Sequence, residues 1–229
     1  MKTNIFIEIL CPVLLPLRSE HSVHTDFCCC DLEKCVIFAD NTFAIIPYIF
    51  NMRKITNAEL MRPTVEEFAR ADKTPLAVVL EDVRSALNVG SFFRTCDAFA
   101  VERIELCGIT ATPPDREIHK TALGAEQTVP WHHWASAAEA VGALRGEGYR
   151  ILAVEQVEGA ALLGSFTPVA GERYALVFGN EVEGVRQSTV DLCDGAIEIP
   201  QLGTKHSLNV SVAGGVVLWD LFCRIGLKI

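Results

Sequence analysis

The stretch Ile199-Pro200-Gln201-Leu202-Gly203-Thr204-Lys205-His206-Ser207-Leu208-Asn209-Val210-Ser211-Val212-Ala213 decides how the rest of the chain is read. An apolar strand ends at Ile199, and a loop containing Pro200 and Gly203 follows. Residues 208–225 are then apolar on nearly every side. Serine is a favoured helix N-cap, so Ser207 is expected to open this last helix. A helix apolar all round must be buried, in a core or against a second subunit. The loop thus joins a strand's carboxyl end to a helix's amino end, where free backbone N–H and C=O groups can hold a ligand.

Working back from there, strands and helices alternate. Residues 76–80 are an apolar run between Pro75 and Glu81-Asp82, which reads as a buried strand. Residues 86–100 have helical periodicity through Val89, Phe92, Phe93, Cys96 and Phe99, and residues 103–107 form the next strand. That order implies a parallel pair with a crossover. Further strands are expected at 129–134, 149–154, 174–178 and 196–199. Helices are expected at 116–124, 136–146 and 185–193. The class is α/β, a mostly parallel sheet with helices on both faces, spanning residues 76–229. Residues 52–75 read as a short helical lead-in, with Thr64 and Glu67 spaced as a capping box.

Residues 1–51 differ in character. Two apolar clusters carry scattered prolines and the triplet Cys28-Cys29-Cys30. Glu8, Pro12 and Pro16 interrupt the first cluster, no small-residue cleavage site follows it, and it is too short to span a bilayer. Met52-Arg53-Lys54 reads as a natural start, so residues 1–51 are expected to be an extension that belongs to a misassigned start or is largely unstructured, with a small accessory segment as the alternative.

The chain has 229 residues, half of them hydrophobic, and a formal net charge of −9. That size suits one α/β domain with an appendage. The acidic balance argues against general nucleic-acid stickiness, because non-specific affinity comes from phosphate neutralisation. Any RNA binding needs a local basic patch, for which Arg84, Arg116, His119, Lys120 and Lys205 are the candidates. The nine cysteines show no zinc spacing and suit free thiols in a reducing cytoplasm. In Trp131-His132-His133-Trp134 the two histidines would point to opposite faces of a strand, a poor arrangement for joint metal ligation. No GxGxxG follows the first strand and there is no phosphate loop, so a dinucleotide or NTP site is not indicated. The glycines cluster instead at Gly179, Gly184 and Gly203, after strands or before helices, where ligands bind in parallel sheets.

Two earlier segments join the opening stretch to carry a resemblance. They are Asn88-Val89-Gly90-Ser91-Phe92-Phe93-Arg94-Thr95 and Gly179-Asn180-Glu181-Val182-Glu183-Gly184. In order and spacing the three segments resemble the signatures of the SpoU/TrmH family of RNA ribose 2′-O-methyltransferases, in the SPOUT superfamily. The resemblance implies a C-terminal trefoil knot, although knots are otherwise nearly absent from proteins. It implies a cytoplasmic homodimer joined through the knotted region, S-adenosylmethionine as cofactor, and tRNA or rRNA as substrate. Gly179, Ile199, Leu208 and Gly203 would then bind the cofactor. Arg94, Asn88, Glu181, Ser207 and Asn209 would form the catalytic set.

Physical chemistry qualifies those roles. A guanidinium stays protonated past pH 12, so orienting the ribose through a neighbouring phosphate is a cheaper role for Arg94 than acting as base. Asn88 would position Arg94 or the ribose, or only cap its helix. Glu181 could favour a sulfonium or fix a loop by accepting N–H bonds, and loop fixing is preferred. Asn209 inside an apolar run needs a polar partner. Gln201 departs from the methionine common at its position in the family. No metal is implied, since a sulfonium is already an activated electrophile. The rival reading is a non-catalytic RNA- or cofactor-binding protein that keeps the fold.

Overall fold

The computed structural model describes residues 34–39, 42–47 and 53–226. The chain divides into two compact units, Met1–Met61 and Arg62–Ile229. In the first, β1 (Lys34–Ala39) and β2 (Thr42–Pro47) pair antiparallel, with Val36 opposite Ile45. A single 3₁₀ turn, Asn57–Leu60, is capped by Thr56 and Glu59. Apart from the β1–β2 hairpin, the expectation for residues 1–51 lies outside the described residues.

The second unit opens with α1 (Val65–Arg70), whose capping box forms as the sequence indicates. Thr64 Oγ1 accepts from Glu67 N at 3.2 Å, and Glu67 Oε2 accepts from Thr64 N at 2.8 Å. There follow β3 (Thr74–Glu81), α2 (Ala86–Ala98), β4 (Val101–Cys107), α3 (Arg116–Ala122), β5 (Trp131–Trp134) and α4 (Ala137–Gly146). The chain continues through β6 (Tyr149–Val154), β7 (Ala161–Leu162), β8 (Arg173–Phe178), α5 (Gln187–Val190) and β9 (Gly195–Glu198). It ends in α6 (Val210–Leu221), which runs on into a π-helical turn at Phe222–Gly226.

Seven strands form one sheet in the order β5-β4-β3-β8-β6-β9-β7, and every pairing is parallel. Side chains alternate across it. Leu76, Val78, Leu80, Leu176 and Phe178 face a core shared with residues of α2, α3 and α6. Ala77, Val79, Ala175 and Val177 face a second core with Ala140, Val141 and Leu144 of α4. The central strands are buried on both sides, which is why they read as unbroken apolar runs. Each fully buried large side chain contributes about 1.5–3 kcal/mol. α6 reaches α2 closely because Gly214 has no side chain: a Cβ there would stand 2.3 Å from Phe92 Cε1.

Two points depart from the expectations, and a third, burial of the last helix in a core or against a second subunit, is met only in part within the chain. The cap of α6 is Asn209, not Ser207: Asn209 Oδ1 accepts from Ser211 N at 2.9 Å and Val212 N at 3.3 Å. Asparagine caps as well as serine, and Asn209 has a second polar partner, described below. The last helix is also not wholly buried in the chain. Val212 and Trp219 remain about half exposed, at 52% and 53%. Finally, the two-residue strand β7 has no counterpart among the strands that the sequence indicates.

The parallel topology brings the loops after β3, β6, β8 and β9 to one end of the sheet. The site is built there.

Candidate functional site

The three quoted segments converge on one hydrogen-bonded cluster. Glu181 sits in the turn after β8 and reaches the start of α2. Its Oε2 accepts from Arg84 N at 2.9 Å, and its Oε1 accepts from Ser85 N and from Asn88 Nδ2, each at 2.9 Å. Partial burial alone would raise this carboxyl. The N–H donors of Arg84, Ser85 and Asn88 outweigh that and hold it below the ordinary glutamate range. Asn88 then passes the connection on. Its Oδ1 accepts from Asn209 Nδ2 at 3.2 Å and from Ser211 Oγ at 3.3 Å. A carboxylate, an amide and a helix cap thus tie the turn after β8 to α2, and α2 to the start of α6.

The turn itself is shaped by glycine. Asn180 and Gly184 exchange backbone bonds, with N···O distances of 3.0 and 2.9 Å, while Asn180 Oδ1 accepts from Val182 N at 2.8 Å. A Cβ on Gly179 would lie 2.0 Å from the Gly184 carbonyl carbon and 2.1 Å from Val185 N. Gly184 has φ +69°, in the left-handed region that glycine adopts without strain. Glu155, after β6, braces this turn: its Oε2 accepts from Val185 N at 3.0 Å. Gln156 Nε2 donates to His206 O at 3.2 Å, which ties the same loop to the segment before α6.

Between these loops lies a cleft of about 440 Å³. Apolar atoms of Phe178, Ile199, Leu208, Val210 and Ala213 line it, together with the backbone from Gly179 to Gly184. Glu155, Glu181, Glu183 and Glu198 add carboxylates. Such a lining can sandwich a flat ring and meet its edge with backbone groups.

Most residues predicted for the site are here. Asn209, Ser207, Glu181, Gly179, Ile199 and Leu208 line the cleft, and Asn88 supports it from behind. Gly203 does not belong with them. It is exposed, outside the lining, and nothing lies within 4 Å of a Cβ placed on it. Its sequence signal came from sharing a loop with lining residues. Arg94 is exposed on α2 and also outside the cleft of its own chain, with no side-chain hydrogen bond or ion pair to the described residues.

The basic candidates are scattered. Arg84 lines a second pocket beside the cleft. Arg116, His119 and Lys120 lie on α3, where His119 Nδ1 meets Glu126 Oε1 at 2.5 Å and Lys120 approaches Glu117 at 3.7 Å. Lys205 is exposed in the loop before α6. Four contributors carry no mark of their own in the sequence: Asn180, Ser211, Glu155 and Gln156. The first two lie inside the quoted segments. The other two follow a strand with no local pattern to mark them.

Among the described residues, no group of three or more His, Cys, Asp or Glu side chains could hold a metal ion. No helix among them is long and apolar enough to cross a membrane.

Fold and site together define an all-parallel α/β domain with a ligand cleft made by three loops at the carboxyl ends of its strands. Residues 75–219 match the SpoU rRNA Methylase family, and the chain belongs to that family. It is 34% identical over 170 residues to the tRNA (guanosine(18)-2′-O)-methyltransferase of Thermus thermophilus, covering 74% of this chain and 84% of that one. It is 30% identical over 167 residues to the 23S rRNA (guanosine-2′-O-)-methyltransferase RlmB of Vibrio parahaemolyticus, covering 71% of this chain and 64% of that one. Among solved structures it resembles the SpoU methyltransferase AviRb from Streptomyces viridochromogenes in complex with the cofactor AdoMet. The TM-score is 0.58 at 25% identity, over 68% of this chain and 62% of that one. The A. aeolicus TrmH/SpoU tRNA modifying enzyme shares the fold, with TM-score 0.61 at 23% identity over 72% and 86% of the two chains.

Proposed function

We propose that the chain transfers a methyl group from S-adenosylmethionine to a ribose 2′-hydroxyl of tRNA or rRNA. The observation that carries this is the Glu181–Asn88–Asn209 connection, which draws the three family segments around one cleft. The Thermus and Vibrio relatives are named as RNA 2′-O-methyltransferases, and AviRb has AdoMet bound. The cleft fits that cofactor chemically. Ile199 and Leu208 supply apolar walls for an adenine, and the backbone near Gly179 supplies edge contacts. The bound cofactor supplies a methyl group on a positively charged sulfur.

The chain's own residues then have separable tasks. Glu181 and Asn88 hold the loops in place. Arg94 orients the acceptor by binding its phosphate, because a guanidinium holds phosphate in two parallel bonds and keeps its proton. Arg94 lies outside its own chain's cleft, so it serves the cleft of a partner. We infer a homodimer formed on the open face of α6, where Val212, Val216 and Trp219 are exposed beside the helix that carries Arg94. An apolar face on a helix already packed along its other side favours a second copy. RNA affinity comes from Arg84, Arg116 and Lys205 together with Arg94, and the setting is the cytoplasm.

The reading includes the C-terminal knot. Two features support it: β9 pairs between β6 and β7, two strands joined directly by residues 155–160, and Gln156 in that connection bonds to His206 O in the chain leaving β9. The domain division is residues 76–229 as the methyltransferase domain, 52–75 as lead-in and 1–51 as extension.

The test is methyl transfer. The purified chain, given labelled S-adenosylmethionine and RNA from cells lacking the gene, should produce 2′-O-methylnucleosides, and Arg94→Ala should not. Cofactor binding with no transfer to any RNA would favour the non-catalytic reading.

A further inference from the structure

Beside the cofactor cleft lies a second pocket, of about 250 Å³, between the turn after β8 and the ends of β3 and β4. Its partition from the cleft is one short turn, since Asn180, Val182, Glu183 and Gly184 line both. Three features of the pocket point to a nucleobase. Ile109 and Val182 expose apolar side chains at it, 70% and 74% accessible. Arg84 has an exposed side chain at its edge, while its backbone N–H is committed to Glu181. Glu183 presents a carboxylate with no hydrogen-bond or ion-pair partner among the described residues, on an exposed side of the turn.

The other charges at the pocket are already engaged. Glu81 accepts from Arg186 N at 2.9 Å and Thr189 Oγ1 at 2.5 Å. Asp82 accepts from Ile109 N at 3.0 Å and pairs with the Arg186 guanidinium at 2.5 Å. Glu183 is therefore the one carboxylate of the pocket without an internal partner among the described residues: Glu81 is held by hydrogen bonds, Asp82 by Arg186, and Arg84 lies at the rim.

We propose that this pocket receives the base of the target nucleotide and that Glu183 selects guanine. The proposal rests on the methyl-transfer reading. A ribose whose 2′-hydroxyl faces the cleft needs its base on one side of the donor, and the adjoining pocket is divided from the cleft by that single turn. A base out of its stack is held by apolar contact and read along its Watson–Crick edge. Guanine offers two adjacent donors on that edge, N1–H and the 2-amino group, and a carboxylate accepts both at once. Adenine and cytosine each offer one amino donor beside a ring acceptor, which repels the second carboxylate oxygen. Uracil flanks its single N–H with two carbonyls. Arg84 at the rim meets the phosphate.

The experiment uses the full chain with S-adenosylmethionine and RNA from cells lacking the gene, and identifies the methylated nucleosides by mass spectrometry after digestion. The wild type should yield 2′-O-methylguanosine. Glu183→Gln replaces one acceptor oxygen by a donor. It should lower kcat/KM on that RNA by about 10- to 100-fold, the range of a bidentate base contact. The guanosine share of the product should also fall. Because Glu183 also borders the cofactor cleft, cofactor-induced thermal stabilisation is measured on the same variant: its retention places the rate loss at the base pocket, and its loss overturns the inference. A wild type that methylates another nucleoside overturns the inference and leaves the methyltransferase reading intact. So does a Glu183→Gln variant with unchanged rate and product. Absence of all transfer by the wild type overturns both.

Discussion

Asn88 Nδ2 donates to Glu181 Oε1 at 2.9 Å, joining two residues 93 positions apart in the chain. The same carboxylate holds two backbone N–H groups at the start of α2. Glu181 is therefore a positioning residue. It fixes the turn that forms the cleft against the helix that carries Arg94, and it does this through hydrogen bonds that need its negative charge.

That arrangement predicts a pH signature. The native Glu181 carboxyl titrates below its unfolded value, so its stabilisation is complete above about pH 4.3, the unfolded glutamate range. It is lost as the pH falls from there through the lowered native value. Glu181→Gln keeps the size but turns one acceptor into a donor facing other donors. At pH 7 the variant should be less stable by about 1 kcal/mol, below the usual value for a hydrogen bond to a charged group because the carboxylate is partly solvated. The gap should close as the pH is lowered below 4. Chemical denaturation at several pH values measures both. An equal gap at all pH values would mean that the charge has no part in the bond.

Gly179 and Gly203 are predicted to differ, although both belong to the family segments. A methyl group on Gly179 would meet the Gly184–Val185 backbone at about 2 Å, and backbone cannot swing aside. Gly179→Ala should cost at least about 2 kcal/mol and abolish cofactor-induced thermal stabilisation. Gly203→Ala meets nothing within 4 Å and should change stability by no more than about 0.5 kcal/mol. Melting temperatures with and without S-adenosylmethionine decide the pair.

The two glycines also show what a sequence can and cannot reveal. Central strands are legible because burial on both faces leaves continuous apolar runs, as in β3, β6 and β8. Helix α2 is legible from its periodicity, and the cleft from three segments at fixed order. The cap of α6 was not legible. Ser207 and Asn209 are both good caps, and local preference cannot rank them. The choice is settled by Asn88, 121 positions upstream, which bonds Asn209 Nδ2. β7 has two residues, too few for any period to show. The need for Gly179 comes from Gly184 folding back on it, a contact with no trace in composition. The apolar surround of α6 reads as a helix buried in a core or against a second subunit, and local pattern cannot divide its faces between the two. In the chain only Gly214, Val217, Leu218 and Leu221 are buried, and Trp219 leans on Phe99 at 5.6 Å with half its surface open.

That open face leads to the prediction that most directly probes the assembly. Trp219→Glu places a charge where a second copy is inferred to pack, and sedimentation should then report a monomer with reduced transfer. Arg94→Ala should leave both the dimer and the melting temperature intact, because the side chain is exposed and makes no internal bond, while transfer falls by at least about 100-fold. Asn209→Ala disturbs the cap and the Asn88 connection and so disables the cleft of its own chain. If Arg94 serves its partner's cleft, the two variants complement each other. Mixed in equal amounts and allowed to exchange, half the dimers are hybrids. Each hybrid has one complete site, made from the cleft of the Arg94→Ala chain and the arginine of the Asn209→Ala chain. Transfer should recover to about a quarter of the wild-type rate. If Arg94 serves its own chain, each hybrid contains one chain lacking the arginine and one lacking an intact cleft, and mixing restores nothing. The recovered rate therefore reports where the arginine acts, independently of which RNA is methylated.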